Sequence, residues 1–174
     1  MLTSSFSRFL ITVFGIGTLA ALLFFAVRTA NEPEVVPEPP VATTRTVSLY
    51  YYDPAADIDA TGNILCSRQG LVAVEREVPL DATIQDVLEL HLRGDLRSTE
   101  SADGIITEYP LSGFSLVSSE LIDGELALTF DDPENRTVGG SCRVGILWMQ
   151  IEATALQFPE VTSVTFAPEE LFQP

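Results

Sequence analysis

The chain has 174 residues, 25 acids against nine arginines and no lysine, and a net charge of −16 at pH 7. Such a balance excludes nucleic acid as a partner, because phosphates need a basic surface, and argues against flat binding to anionic lipid. It leaves cations and basic proteins as compatible partners, although acids also serve simply as solvated faces that keep a domain soluble.

From Phe9 to Val27 runs a stretch of nineteen uncharged residues between Arg8 and Arg28, with Thr12 and Thr18 its only polar side chains. At about 1.5 Å per residue a helix of this length comes close to the ~30 Å hydrocarbon core of a bilayer. A cleaved signal peptide would carry a shorter apolar region and a small-x-small cleavage site, and a core helix would show polar positions at helical spacing. The stretch is therefore read as an uncleaved single-pass transmembrane helix. The short flank 1–8 is placed in the cytoplasm and the C-terminal domain outside it, on a weak positive-inside preference. That outer part carries about −18.

Residues 28–45 read as a Pro/Glu-rich linker, with Pro33, Pro37, Pro39 and Pro40 favouring extended conformations that hold a domain away from the bilayer. Residues 46–174 then have the size of one domain.

Within it, Thr46–Asp53 (TVSLYYYD) is β-branched and aromatic and predicts a strand. Leu71–Val78 alternates Leu71, Ala73, Glu75, Glu77 with the mostly apolar Val72, Val74, Arg76, Val78 and predicts a half-exposed strand ended by Pro79. Thr83 opens a helix to about Arg93, stopped by Gly94, with Ile84, Val87, Leu88, His91 and Leu92 on one face. Residues 94–113 read as a polar connection. Phe114–Ile122 and Glu125–Phe130 predict two strands joined at Asp123-Gly124, the dipeptide of a two-residue hairpin. After the loop Asp131–Gly140, Ser141 is placed as the cap of a helix to about Phe158, with Val144, Leu147, Trp148, Ile151, Ala155 and Phe158 as its buried stripe. Val161–Ala167 predicts a last strand. The order β-β-α-β-β-α-β, with two amphipathic helices needing one apolar sheet face, predicts an α+β two-layer sandwich whose helices share one face of a mixed sheet. The open sheet face and the strand edges are the expected contact surfaces.

The motifs VSLYYYD, LVAVEREVP with its helix ending at Leu92-Arg93-Gly94, the hairpin FSLVSSELIDGELALTFDD and the unit ILWMQIEATALQFPEVTSVTFAPEEL, in this order and spacing, resemble the GerMN domain of spore-formation, germination and other bacterial envelope proteins. The resemblance covers about Thr46–Leu171. It implies a compact α/β module without known catalysis, working in assembly or scaffolding at the envelope, and carries over no catalytic residue.

Several constellations bear on chemistry. Cys66 and Cys142 form a disulfide candidate outside the cytoplasm, the alternative being two separate thiols. Asp57, Asp59 and Thr61, with Gly62 in the turn position, copy the first half of a calcium loop, but Arg68 stands where a bidentate Glu is needed. The bland reading is a surface turn. His91, the single histidine, reads as an edge-of-core residue, and Asp131, Asp132 and Glu134 as a solvated loop in place of a carboxylate pair for glycoside chemistry. Gly139-Gly140-Ser141 offers backbone amides to an anion without the lysine of a phosphate loop, and Asn135-Arg136-Thr137 fits a glycosylation sequon. No cofactor is expected. The leading expectation is a non-catalytic interaction or scaffold domain with an envelope protein partner or self-assembly. The alternatives are a module for cell-wall ligands such as peptidoglycan or for cations, and an envelope hydrolase working through acidic residues alone.

Overall fold

The computed structural model describes residues 43–174. The apolar stretch Phe9–Val27 and nearly all of the linker lie outside the described residues. Among the described residues no helix is long and apolar enough to cross a membrane.

The fold is an α+β sandwich. Its strands are β1 (Thr44–Tyr52), β2 (Leu71–Pro79), β3 (Ser115–Ile122), β4 (Glu125–Asp131) and β5 (Ser163–Ala167), and its helices α1 (Ile84–Leu92), α2 (Ser98–Ala102) and α3 (Ser141–Ala155). The first strand starts two residues before the expected boundary, so Thr44 and Arg45 belong to the domain. Arg45 is fixed there by donating to the Ala82 carbonyl at 2.8 Å and by lying 5.5 Å over the Phe158 ring.

The single mixed sheet expected from the sequence is instead two sheets. β1 and β2 form an antiparallel pair, and β3-β4-β5 form a second sheet, antiparallel between β3 and β4 and parallel between β4 and β5. The outer edge of β1 is taken by the side chains of Thr154 in α3 and Gln157 just beyond it and by an isolated bridge, so no further strand joins it. Helix α1 packs on β1 and β3, α3 packs on β1 and β2, and the helices touch each other.

One core unites both sheets. Val47, Leu49 and Tyr51 of β1 point inward beside Val74 and Val78, and Leu126, Leu128 and Phe130 of β4 point inward from the other sheet. An aromatic series crosses between them: Tyr51 stacks on His91 at 4.9 Å, His91 meets Tyr109 at 5.4 Å, Tyr109 meets Phe114 at 6.2 Å, and Phe114 stacks on Phe130 at 4.8 Å. Burial of such rings supplies most of the stabilisation of a domain this size. His91 is thus fully buried in the middle of the core and not at its edge.

Local chemistry explains the element ends. Thr83 caps α1 through a reciprocal pair, accepting from the Asp86 amide at 3.2 Å while Asp86 accepts from the Thr83 amide at 2.7 Å. Asp123 and Gly124 both take positive φ, 52° and 88°, as the tight hairpin requires. The connection 94–113 holds the unexpected one-turn helix α2. Its Glu100 accepts from Arg76 on both oxygens at 2.7 Å, which pins α2 to β2. Ser141 is the first residue of α3 and not its cap. Gly140 holds that position with no side-chain bond, the helix stops at Ala155, and Phe158 is buried in the turn beyond. Trp148 is only half-buried, because α3 turns Met149, Gln150 and Thr154 inward as well.

Candidate interaction surface

Between β1 and β2 the chain makes a braced excursion, residues 53–70, that brings together most of the sequence-predicted site residues. Asp57 does not face outward as a cation ligand would. It is fully buried, and its carboxylate accepts from the Tyr52 hydroxyl at 2.5 Å, the Ser67 amide at 2.6 Å and the Ser67 hydroxyl at 2.6 Å. Burial pushes its pKa up, but the Ser67 and Tyr52 donors outweigh this and hold it below the ordinary value. Tyr52 responds in the opposite sense, its hydroxyl raised by burial and by the neighbouring carboxylate.

Asp59 closes a turn. It accepts from the Thr61 hydroxyl at 2.7 Å, the Thr61 amide at 2.7 Å and the Asn63 amide at 2.9 Å, and its other oxygen accepts from the Asn63 side chain at 3.0 Å. These donors, the Thr61 hydroxyl first, lower its pKa. So the structure brings Asp59 and Thr61 together and separates them from Asp57. Among the described residues no group of three or more His, Cys, Asp or Glu is set to hold a metal.

The far end of the excursion is fastened to α3. Cys66 and Cys142 are bonded, with Cα atoms 5.2 Å apart. Arg68 pairs with Glu152 and lies 5.0 Å over the Trp148 ring. Gly70 closes the base: a Cβ there would overlap the Tyr52 ring, which lies directly against it.

This bracing presents aliphatic side chains to water. Ile58 and Ile64 face each other across a bridge in which Asp59 donates to the Asn63 carbonyl at 2.9 Å and Leu65 donates to the Asp57 carbonyl at 2.9 Å. Ile58, Ile64 and Leu65 are 53%, 51% and 49% exposed. Ile106, which exchanges main-chain bonds with Tyr52 at 3.1 and 2.7 Å, is 51% exposed. Rigid loops with exposed aliphatics are typical recognition surfaces. The sequence does not single out Ile58, Ile64 and Leu65, since the eight residues between Asp57 and Cys66 carry no periodicity to read.

The remaining candidates are engaged in structure. Asp132 accepts from the Arg136 amide at 2.7 Å and from the Thr137 amide and hydroxyl at 2.9 and 2.8 Å; burial raises its pKa, and these bonds outweigh it. Glu134 pairs with Arg136, and Asp131 is exposed and lines one cavity with Asp132. Thr137 of the sequon is buried. At the Gly139-Gly140-Ser141 turn, the Gly139 amide donates to the Gln173 carbonyl at 3.4 Å, while Arg143 donates to the Val138 carbonyl and pairs with Glu108 at 2.7 Å. His91 Nδ1 lies 3.5 Å from the Thr154 hydroxyl and its Nε2 has no partner among the described residues; burial holds its pKa down to about 3.

The α+β sandwich has a counterpart among solved structures. The chain matches the tandem GerMN domains of the sporulation protein GerM from Bacillus subtilis with a TM-score of 0.52 and 18% identity, over 80% of this chain and 45% of that one. The likeness is one of fold, and the chain spans less than half the length of that structure. No protein-family model matches the chain, and no curated protein does.

Proposed function

We propose that this chain is a docking module of a bacterial cell envelope, held at the membrane by Phe9–Val27 with residues 43–174 outside the cytoplasm, and that it works by binding a protein partner and not by catalysis. The observation that carries the reading is the braced excursion 53–70. A buried carboxylate, an Asp59-centred turn and a disulfide fix a loop whose product is an exposed aliphatic patch of Ile58, Ile64 and Leu65. Pre-organisation of this kind lowers the entropic cost of docking. The polar groups proposed for chemistry are committed elsewhere: Asp57 to Tyr52 and Ser67, Asp132 to its own loop, His91 to the core. The disulfide supports an oxidising compartment, and the assembly role is what the GerMN resemblance implies, with the fold likeness to domains of a sporulation protein beside it.

The test is recovery of partners from cells expressing the full chain. Ile64→Asp should abolish recovery of a discrete partner while leaving the melting temperature within a degree or two, because Ile64 is already half in water. Equal recovery with Ile64→Asp and with a double Ile58→Asp/Leu65→Asp variant would sink the reading.

A further inference from the structure

The outer edge of β1 is closed by side chains and a bridge, but that of β5 is not. At β5 the Ser163 amide donates to the Gly124 carbonyl at 3.3 Å. By strand alternation, Ser163, Thr165 and Ala167 turn their main-chain groups to β4, and Val164 and Phe166 turn theirs away from the sheet. Among the described residues nothing bonds the main-chain groups of Val164 and Phe166. Beside this open edge lies a groove of about 540 Å³ between β5 and α3. Its floor is aromatic and aliphatic (Trp148, Phe166, Leu171, Phe172), and it is bordered by Glu169 and by Glu152, which Arg68 already pairs.

We propose that this groove takes an extended segment of a partner protein, in which Arg or Lys alternates with branched aliphatic residues, added as a further strand to β5. Two outward main-chain donor–acceptor pairs, spaced two residues apart, match only a chain in strand conformation. A strand placed there lays alternate side chains on the aromatic floor and turns the others to the opposite face, where Glu125 accepts from the Thr165 hydroxyl at 3.3 Å, which selects the alternation. The sign of the charge selects the partner: a second copy, also at −16, would be repelled, and a basic segment attracted. The inference rests on the docking-module reading only in requiring a protein partner, and it uses none of the residues of the 53–70 excursion.

Trp148 is the chain's single tryptophan, so its fluorescence reports the groove directly. The full chain in detergent is titrated with a capped hexapeptide alternating Arg and Val, with the same peptide N-methylated at alternate positions in each of the two possible phases, and with its Glu/Val counterpart. The Arg/Val peptide should shift Trp148 emission saturably. One N-methylation phase, and a Val164→Pro substitution that removes an outward amide while sparing the bonds to β4, should each weaken binding roughly tenfold. The Glu/Val peptide should not bind. Equal binding of the two charge types, no loss in either N-methylated phase, or no response to any peptide would overturn the proposal. Should Val164→Pro fail to fold, the N-methylated peptides decide alone. The loss of partner recovery expected of Ile64→Asp is independent of every one of these outcomes.

Discussion

Gln157 completes β1 as a neighbouring strand would: its side-chain amide donates to the Ser48 carbonyl at 2.6 Å, and its side-chain carbonyl accepts from the Ser48 amide at 2.8 Å. The Thr154 hydroxyl accepts from the Tyr50 amide at 3.0 Å, and Ile106 exchanges both bonds with Tyr52. The outer edge of β1 is therefore closed from Ser48 to Tyr52. A bare edge is a template for pairing with other chains, so the closure removes one of the contact surfaces expected from the sequence, whereas the outer edge of β5 stays open.

Removing that closure has a defined effect. Gln157→Ala leaves two part-buried main-chain groups of Ser48 without their partners, and should destabilise the domain by about 1–3 kcal/mol. Urea unfolding should show a lower midpoint at an unchanged slope. A variant as stable as the parent would mean that water replaces the side chain fully.

The disulfide joins residues 76 apart in sequence. In the chain-entropy model a loop of that length is worth about 4 kcal/mol, so Cys66→Ser with Cys142→Ser, or reduction of the parent, should lower stability by roughly that amount. Amide exchange should quicken first at Leu65 and Ser67, whose amides beside the bond donate to Asp57 at 2.9 and 2.6 Å. Uniform quickening across the domain would show instead that the bond acts only through the unfolded chain.

His91 predicts a pH dependence. Unfolded, it binds a proton below about 6.5; folded, burial keeps it neutral down to about 3. In that window the unfolded state holds more protons, so His91's contribution is whole above 6.5 and is lost as pH falls toward 3, by about 1.4 kcal/mol per pH unit. His91→Phe keeps a ring against Tyr51 and should flatten the stability profile between pH 6 and 4 relative to the parent. Parallel profiles for the two proteins would contradict the buried neutral state.

Much of this fold is legible in the sequence. Alternation identifies β2 and, in part, β1, Thr83 marks the start of α1, and Asp123-Gly124 marks the hairpin. What is not legible follows from distance along the chain. Alternation says which face of β1 is buried but not what lies beside it, and the neighbour proves to be the Gln157 side chain, 109 residues away. Helix α2 is five residues long, too short for helical spacing to register. The calcium-like spacing of Asp57, Asp59 and Thr61 is a local pattern, broken because the Tyr52 hydroxyl and Ser67 draw Asp57 inward. The cysteine pairing was readable as a candidate, yet its consequence, an aliphatic patch held in water, depends on where Ile58 and Ile64 end up relative to each other.

Photo-crosslinking from Ile64 in intact cells is the most direct measurement of the docking function. A photoreactive residue at Ile64, and another at Ile58, should each capture the same discrete envelope protein, and one at the exposed Glu160 should not. The capture should disappear when Leu65 is changed to Asp. Indiscriminate capture from all three positions would contradict the account, as would cleavage of peptidoglycan by the purified chain that a single carboxylate substitution abolishes.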